Sequence, residues 1–494
     1  MPNRARILIL STFTFHGIAA CALAVERTQN FDADPNWEGR NNRAVEPSPR
    51  DVRQDFGYSG TLHAGGQRGE VGGFITPAAE PAYYAAKISA PDSGKSFTFD
   101  SPLSASGTFA CPDGSLHVLL GFFNSATTNE WRTPNSIVLR LNGRGDKFYA
   151  YVEYCTRLWR AGGDSPKSFP TVLNPRSGRH ELLGFACGGQ RHHWELKYDP
   201  AANRGEGAIT ATIDGETAVC ELSPGHRADG AAFDRFGLLT VSKSVDSGGE
   251  VWIDDVTING TTSDFSQDPG WEGLNNRRTY QSVIVRPRFD FGLSPTNFAA
   301  GAKSGELGGV IFRGDCRYPD KIACYADRLE RLSSKKPLRA AGKVCLRRGV
   351  SDSGVLIGFF NSRESMAANP SQDTGLPRSF VGISTDAPSR EGFYFAPTYR
   401  IGGDVRASLG DANPPRLLPD GQPHDWTLEY IPDSDDLPGR ITAALDGKTI
   451  TLPIDKDSEI PEVTFDRFGI ITPWIDGNGQ TIYFDDLTYT SRQE

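Results

Sequence analysis

Phe265-Ser266-Gln267-Asp268-Pro269-Gly270-Trp271-Glu272-Gly273-Leu274-Asn275-Asn276-Arg277 nearly repeats Phe31-Asp32-Ala33-Asp34-Pro35-Asn36-Trp37-Glu38-Gly39-Arg40-Asn41-Asn42-Arg43. A match that keeps the Phe, Asp, Pro, Trp, Glu, Gly and closing Asn-Asn-Arg marks one unit written twice. The copies stay in step to their ends. Asp55-Phe56-Gly57 answers Asp290-Phe291-Gly292, and Gly69-Glu70-Val71-Gly72-Gly73 answers Gly305-Glu306-Leu307-Gly308-Gly309. Leu119 to Ser125 answers Leu356 to Ser362, each carrying Gly-Phe-Phe-Asn-Ser. Arg160 and Arg400 each precede a Gly-Asp turn, and His192-His193-Trp194 answers His424-Asp425-Trp426. Phe233 to Gly237 answers Phe465 to Gly469, and Val251 to Asp255 answers Ile482 to Asp486. The period far exceeds the roughly 50 residues of a solenoid unit. Each copy therefore reads as a domain, 25–263 and 264–494, dividing in the polar stretch Asn259 to Asp264.

Within each copy the signal is strand. Trp194 to Tyr198 and Trp426 to Tyr430 alternate apolar and polar with period two. Ala208 to Ile213 alternates and ends in Asp214-Gly215; Ile441 to Leu445 ends in Asp446-Gly447, both hairpin signals. Ile137 to Leu141 and Phe148 to Tyr154 are further strands, and Ala323 to Leu332 is the one candidate for a short helix. Short strands parted by Gly, Pro and Asp turns predict an all-β chain. Over two hundred residues per copy point to two tandem antiparallel jelly-roll β-sandwiches of about a dozen strands each.

At 494 residues the chain has room for two such cores. A net charge of -9 without a basic block excludes nucleic acid as the main partner, since phosphate binding needs clustered Lys and Arg. Residues 1–24 read as a signal peptide: Arg4 and Arg6, an apolar run from Ile7 to Ala20, and Ala22-Leu23-Ala24 for cleavage. Secretion, or a periplasmic or cell-surface location, is expected. The alternative is Ile18-Ala19-Ala20-Cys21 as a lipobox, with membrane attachment only through lipidated Cys21. Seven further cysteines show no zinc spacing and leave their pairing open.

The opening signature, the Gly-Phe-Phe-Asn-Ser strand, the Asp-Gly hairpin and the closing aromatic-x-Asp-Asp strand resemble the concanavalin A-like (laminin G-like) lectin and glucanase superfamily. They are also similar to an uncharacterised group of exported bacterial proteins with Phe-Asp-Arg-Phe-Gly and Asp-Asp-Leu/Val-Thr motifs. The resemblance implies the sandwich fold and a carbohydrate-directed role. The Glu-x-Asp-x-x-Glu strand of the related glucanases is absent here.

Several residues could carry such a role. Asn41, Asn42 and Arg43, with Asn275, Asn276 and Arg277, form polar clusters beside a Trp and suit sugar hydroxyls. Asn124 and Asn361, and the aromatic-Arg pairs Trp159-Arg160 and Tyr399-Arg400, could line a glycan groove. Period two puts Trp252, Asp254, Val256 and Ile258 on one face, and Tyr483, Asp485, Leu487 and Tyr489 on another. A carboxylate on an apolar face needs a partner. Asp254 and Asp485, approached by Asp34 or Asp268, therefore suit a structural Ca²⁺. Glu70 and Glu306, between glycines, are the candidates for catalysis. The expected function is an exported polysaccharide-binding protein. The alternatives are a glycoside hydrolase or lyase using Glu70 and Glu306, and a surface adhesion module without a small ligand.

Overall fold

The computed structural model describes residues 24–43, 48–90, 94–112, 114–128, 133–371, 375–387, 393–401, 404–407, 414–434, 438–454 and 462–493. Residues 1–23 of the expected signal peptide, Cys21 among them, and Gly402-Gly403 lie outside the described residues. The chain is built almost wholly from antiparallel strands in two jelly-roll sandwiches, each of two large sheets.

In the first half one sheet runs, in spatial order, Glu216–Glu221, Ala208–Ile213, Arg191–Asp199, Leu103–Ala110, Gly249–Ile258, Glu70–Ile75, Arg50–Ser59. The facing sheet runs Lys147–Cys155, Ser136–Arg144, His117–Phe123, Arg235–Thr240, Tyr83–Lys87. The second half repeats this plan. Gly479–Arg492 is central in one sheet, and Ser353–Phe360 beside Thr464–Ile471 is central in the other. Alternation supplies the cores: Val251 and Ile253 meet Trp194, Leu196 and Phe236 in the first, and Ile482 and Phe484 meet Trp426 and Phe468 in the second. Phe122 enters the first core while Phe123 faces the other side, under a small cluster with Tyr83, Leu119 and Leu239.

Two expectations change. The segment around Ala323–Leu332 is a strand, Cys324–Ser333, paired with Thr464–Ile471; a register shift between Arg328 and Leu332 breaks its alternation and imitates a helical pattern. The second change concerns the signature. The repeats divide near 263, but the folded sandwiches do not. Glu272–Leu274 pairs with Tyr83–Lys87, and Arg277–Ser282 pairs with Arg50–Ser59, so the second signature completes the first sandwich. Val25–Gln29 pairs with Gly479–Arg492, and Glu38–Arg40 pairs with Cys324–Ser333, so the first signature completes the second sandwich. The repeats exchange arms.

Burial drives the exchange. Phe31 and Trp37, with ring centres 5.2 Å apart, sit in the second core against Tyr325 and Tyr489. Phe265 and Trp271 repeat the arrangement in the first, also at 5.2 Å, against Tyr84. Fully burying one such ring contributes about 2–3 kcal/mol.

Candidate functional site

The signature's polar residues serve this docking. Asn41 Nδ2 donates to the Ile322 carbonyl at 2.7 Å, and Asn42 Nδ2 to the Phe291 carbonyl at 2.6 Å. Asn275 Nδ2 donates to the Pro81 carbonyl at 2.9 Å, and Asn276 Nδ2 to the Phe56 carbonyl at 2.6 Å. Arg43 and Arg277 reach the carbonyls of Leu293 and Tyr58. Asn41 and Asn275 hold φ of 56° and 52°, which Asn tolerates better than most residues. A Cβ on Gly39 or Gly273 would lie 2.2 Å from the Oδ1 of Asn42 or Asn276. These six side chains are spent on sheet-edge carbonyls rather than displayed for a sugar.

The other expected groove residues are also committed. Asn124 and Asn361 donate to the carbonyls of Ala232 and Thr464 and cap the turns that follow them. Trp159 packs against the second core. Arg160 is paired with Asp229. Tyr399 is fully buried, and Arg400 lies buried over Trp474, donating to the Leu376 carbonyl.

Glu70 and Glu306 are completely buried. Glu70 accepts from the His63 and Ala64 amides at 2.7–2.9 Å. Glu306 accepts from the Phe298 and Ala299 amides and the Thr296 hydroxyl at 2.5–2.9 Å. Each carboxylate pins a glycine-bearing loop over its sheet.

Under those loops lie Asp254 and Asp485. Register shifts after Asp254, and positive φ at Asp255 and Asp486, switch the faces of the closing strand. Val251, Ile253 and Val256 enter the core, whereas Trp252 and Asp254 face outward. The expected grouping of Asp254 with Val256, and of Asp485 with Leu487, is thereby corrected: a bulge separates them. Oδ1 of each accepts the next residue's amide at 2.7 Å, and Oδ2 of each is buried without a partner. A Cβ on Gly65 would lie 1.5 Å from Asp254 Oδ2, and one on Gly301 1.8 Å from Asp485 Oδ2. Burial pushes the Asp254 carboxyl up to about 6, helped by Asp255, Glu70 and Asp264. Burial pushes Asp485 to about 7, helped by Asp486, Glu306 and Asp32. The arm carboxylates in play are thus Asp264 and Asp32. Asp34 and Asp268 instead cap the Asn36 and Gly270 amides. Among the described residues no three His, Cys, Asp or Glu side chains stand close enough to share a metal ion.

Next to Asp254, on the outer face of the first sandwich, is an open groove of about 400 Å³. Register assembles it: Thr108 lies across from both Asp254 and His193, and Glu195 across from both Ser106 and Thr212. Its rim is hydroxyl, imidazole and carboxylate, with Asp255 at one side. Gly107 in its floor leaves a Cβ position 3.3 Å from the Trp194 ring, whose Nε1 is buried without a partner. Glu195 pairs with Lys197 at 2.6 Å, while Asp255 pairs with no Lys or Arg among the described residues. One sign of this groove is legible in the sequence, the polar half of each alternating strand, but not the register that gathers it.

No family model matches the chain. No curated protein matches it either. Among solved structures, domains LG4-5 of the mouse laminin alpha1 chain align over 91% of this chain and 96% of theirs, at 11% identity and TM-score 0.22. The carbohydrate recognition domain of Emp47p aligns over 41% of this chain and 88% of its own, at 9% identity and TM-score 0.26. Truncated AlyQ, with CBM32 and alginate lyase domains, aligns over 96% of this chain and all of its own, at 10% identity and TM-score 0.23. Scores this low carry no inference about ligand or chemistry.

Proposed function

We propose that the chain is an exported glycan-binding protein whose ligand lies in the groove bounded by Ser106, Thr108, His193, Glu195, Thr212 and Asp255. One observation carries this reading: an open groove whose rim is made of hydroxyl, imidazole and carboxylate groups, with Asp255 paired to no Lys or Arg among the described residues. Polyols are recognised by such arrays because each hydroxyl both donates and accepts. Export follows from the leader read in residues 1–24. The test is retention of the whole protein on immobilised polysaccharides. Retention lost in Asp255→Ala combined with His193→Ala supports the groove; retention unchanged in that variant places binding elsewhere.

A second reading, a structural Ca²⁺ in each half, is favoured by the partnerless Oδ2 of Asp254 and Asp485. A hard cation accepts a carboxylate oxygen and completes its shell with carbonyls and water. Melting that shifts upward with Ca²⁺ and returns with chelator supports it; identical curves oppose it.

A further inference from the structure

The second half holds its own answer to what the groove accepts. Lys343 lies across from Asp485 and Asp425, as Thr108 lies across from Asp254 and His193. Its Nζ is 3.0 Å from Asp425 Oδ1. The hydrogen bond to Asp425 holds the amine above the usual lysine range, with help from Asp486 and Asp485. Ala341 and Ala444 stand where the first half has Ser106 and Thr212. The second copy has thus lost the hydroxyls of Ser106, Thr108 and Thr212, carries Thr427 in place of Glu195, and has gained an internal ammonium beside the aspartates equivalent to Asp254 and Asp255. The first copy keeps those two aspartates and offers a threonine in place of the lysine.

We propose that the first-half groove takes a primary ammonium group from its ligand, an amino sugar, at one site per chain, and that Lys343 fills the matching place in the second half. This rests on the glycan-binding reading. It also denies the duplication a role in two-site avidity.

The test is titration calorimetry of the whole protein with four probes: a glucosamine hexamer, its N-acetylated counterpart, cellohexaose and pentalysine. The glucosamine hexamer should bind one per chain, about tenfold or more tighter than the acetylated and neutral hexamers, as expected for a charge-assisted bond. Thr108→Lys, which copies the second half, should weaken it about tenfold or more, as should Asp255→Asn. Lys343→Thr with Asp425→His should raise the stoichiometry above one. Equal binding of cellohexaose that Thr108→Lys blocks would overturn the ammonium claim and leave the glycan groove standing. Pentalysine bound while every sugar fails would overturn the glycan reading, and the amino-sugar claim with it. Binding indifferent to Thr108→Lys would overturn both.

Discussion

Asn42 Nδ2 meets the carbonyl of Phe291 at 2.6 Å, and Asn276 Nδ2 meets that of Phe56 at the same distance. Each bond joins the opening of one repeat to the sandwich of the other. Neither sandwich is complete without a segment that the opposite repeat contributes.

Trp37→Ala should therefore destabilise the second half, although Trp37 lies near the start of the chain. Truncating a buried Trp costs about 3–5 kcal/mol. Hydrogen exchange should quicken in Cys324–Ser333 and Gly479–Arg492 and stay slow in Leu103–Ala110. Trp271→Ala should do the reverse, and more mildly, because Trp271 is only half-buried.

Gly39→Ala and Gly273→Ala should each unseat an arm. The new Cβ would sit 2.2 Å from an Asn Oδ1, so the amide must swing away and abandon its buried carbonyl. A loss of about 1–3 kcal/mol in urea unfolding is expected for each. An unchanged midpoint would show that the Asn is not needed.

Acidity should stabilise the protein through Asp254 and Asp485. Their folded values, about 6 and about 7, lie above the unfolded value of about 3.9. Between these limits the folded state binds more protons. This contribution is present at about pH 4 and is lost as pH rises to about 7. The double variant Asp254→Asn, Asp485→Asn should flatten that slope in chelator-treated protein. A slope that persists would assign it to other groups.

Glu306→Gln should loosen the loop over Asp485 without touching ligand retention in the first half. The amides of Phe298 and Ala299 lose a charged acceptor, at a cost of about 1–3 kcal/mol. Their exchange should accelerate. Loss of polysaccharide retention in this variant would place the binding site in the second half instead.

The strands were legible because period two survives in Trp194 to Tyr198 and Trp426 to Tyr430, and the hairpins because Asp-Gly sits at both turns. The arm exchange was not. Phe31 and Phe265 carry the same message, and nothing local in a docking segment states which of two like sockets it fills. The face of Asp254 was hidden by the residue after it, whose left-handed backbone reverses the alternation. The signature's Asn and Arg read as polar clusters, but their partners are main-chain carbonyls 194 or more positions away, a relation that residue type does not encode. That Ser106, Thr108, His193 and Thr212 share a groove is not legible, since each alone is an ordinary solvent-side residue of its strand.

Val25 stands opposite Arg492 in the sheet, and the turn at Asn259-Gly260 lies at the corresponding place in the first half. Joining Arg492 to Val25 and opening that turn would yield a polypeptide of the same plan, with the roles of the halves interchanged. The run of strands from Val25 to Arg492 thus returns to its own start and offers two like places at which it could be opened.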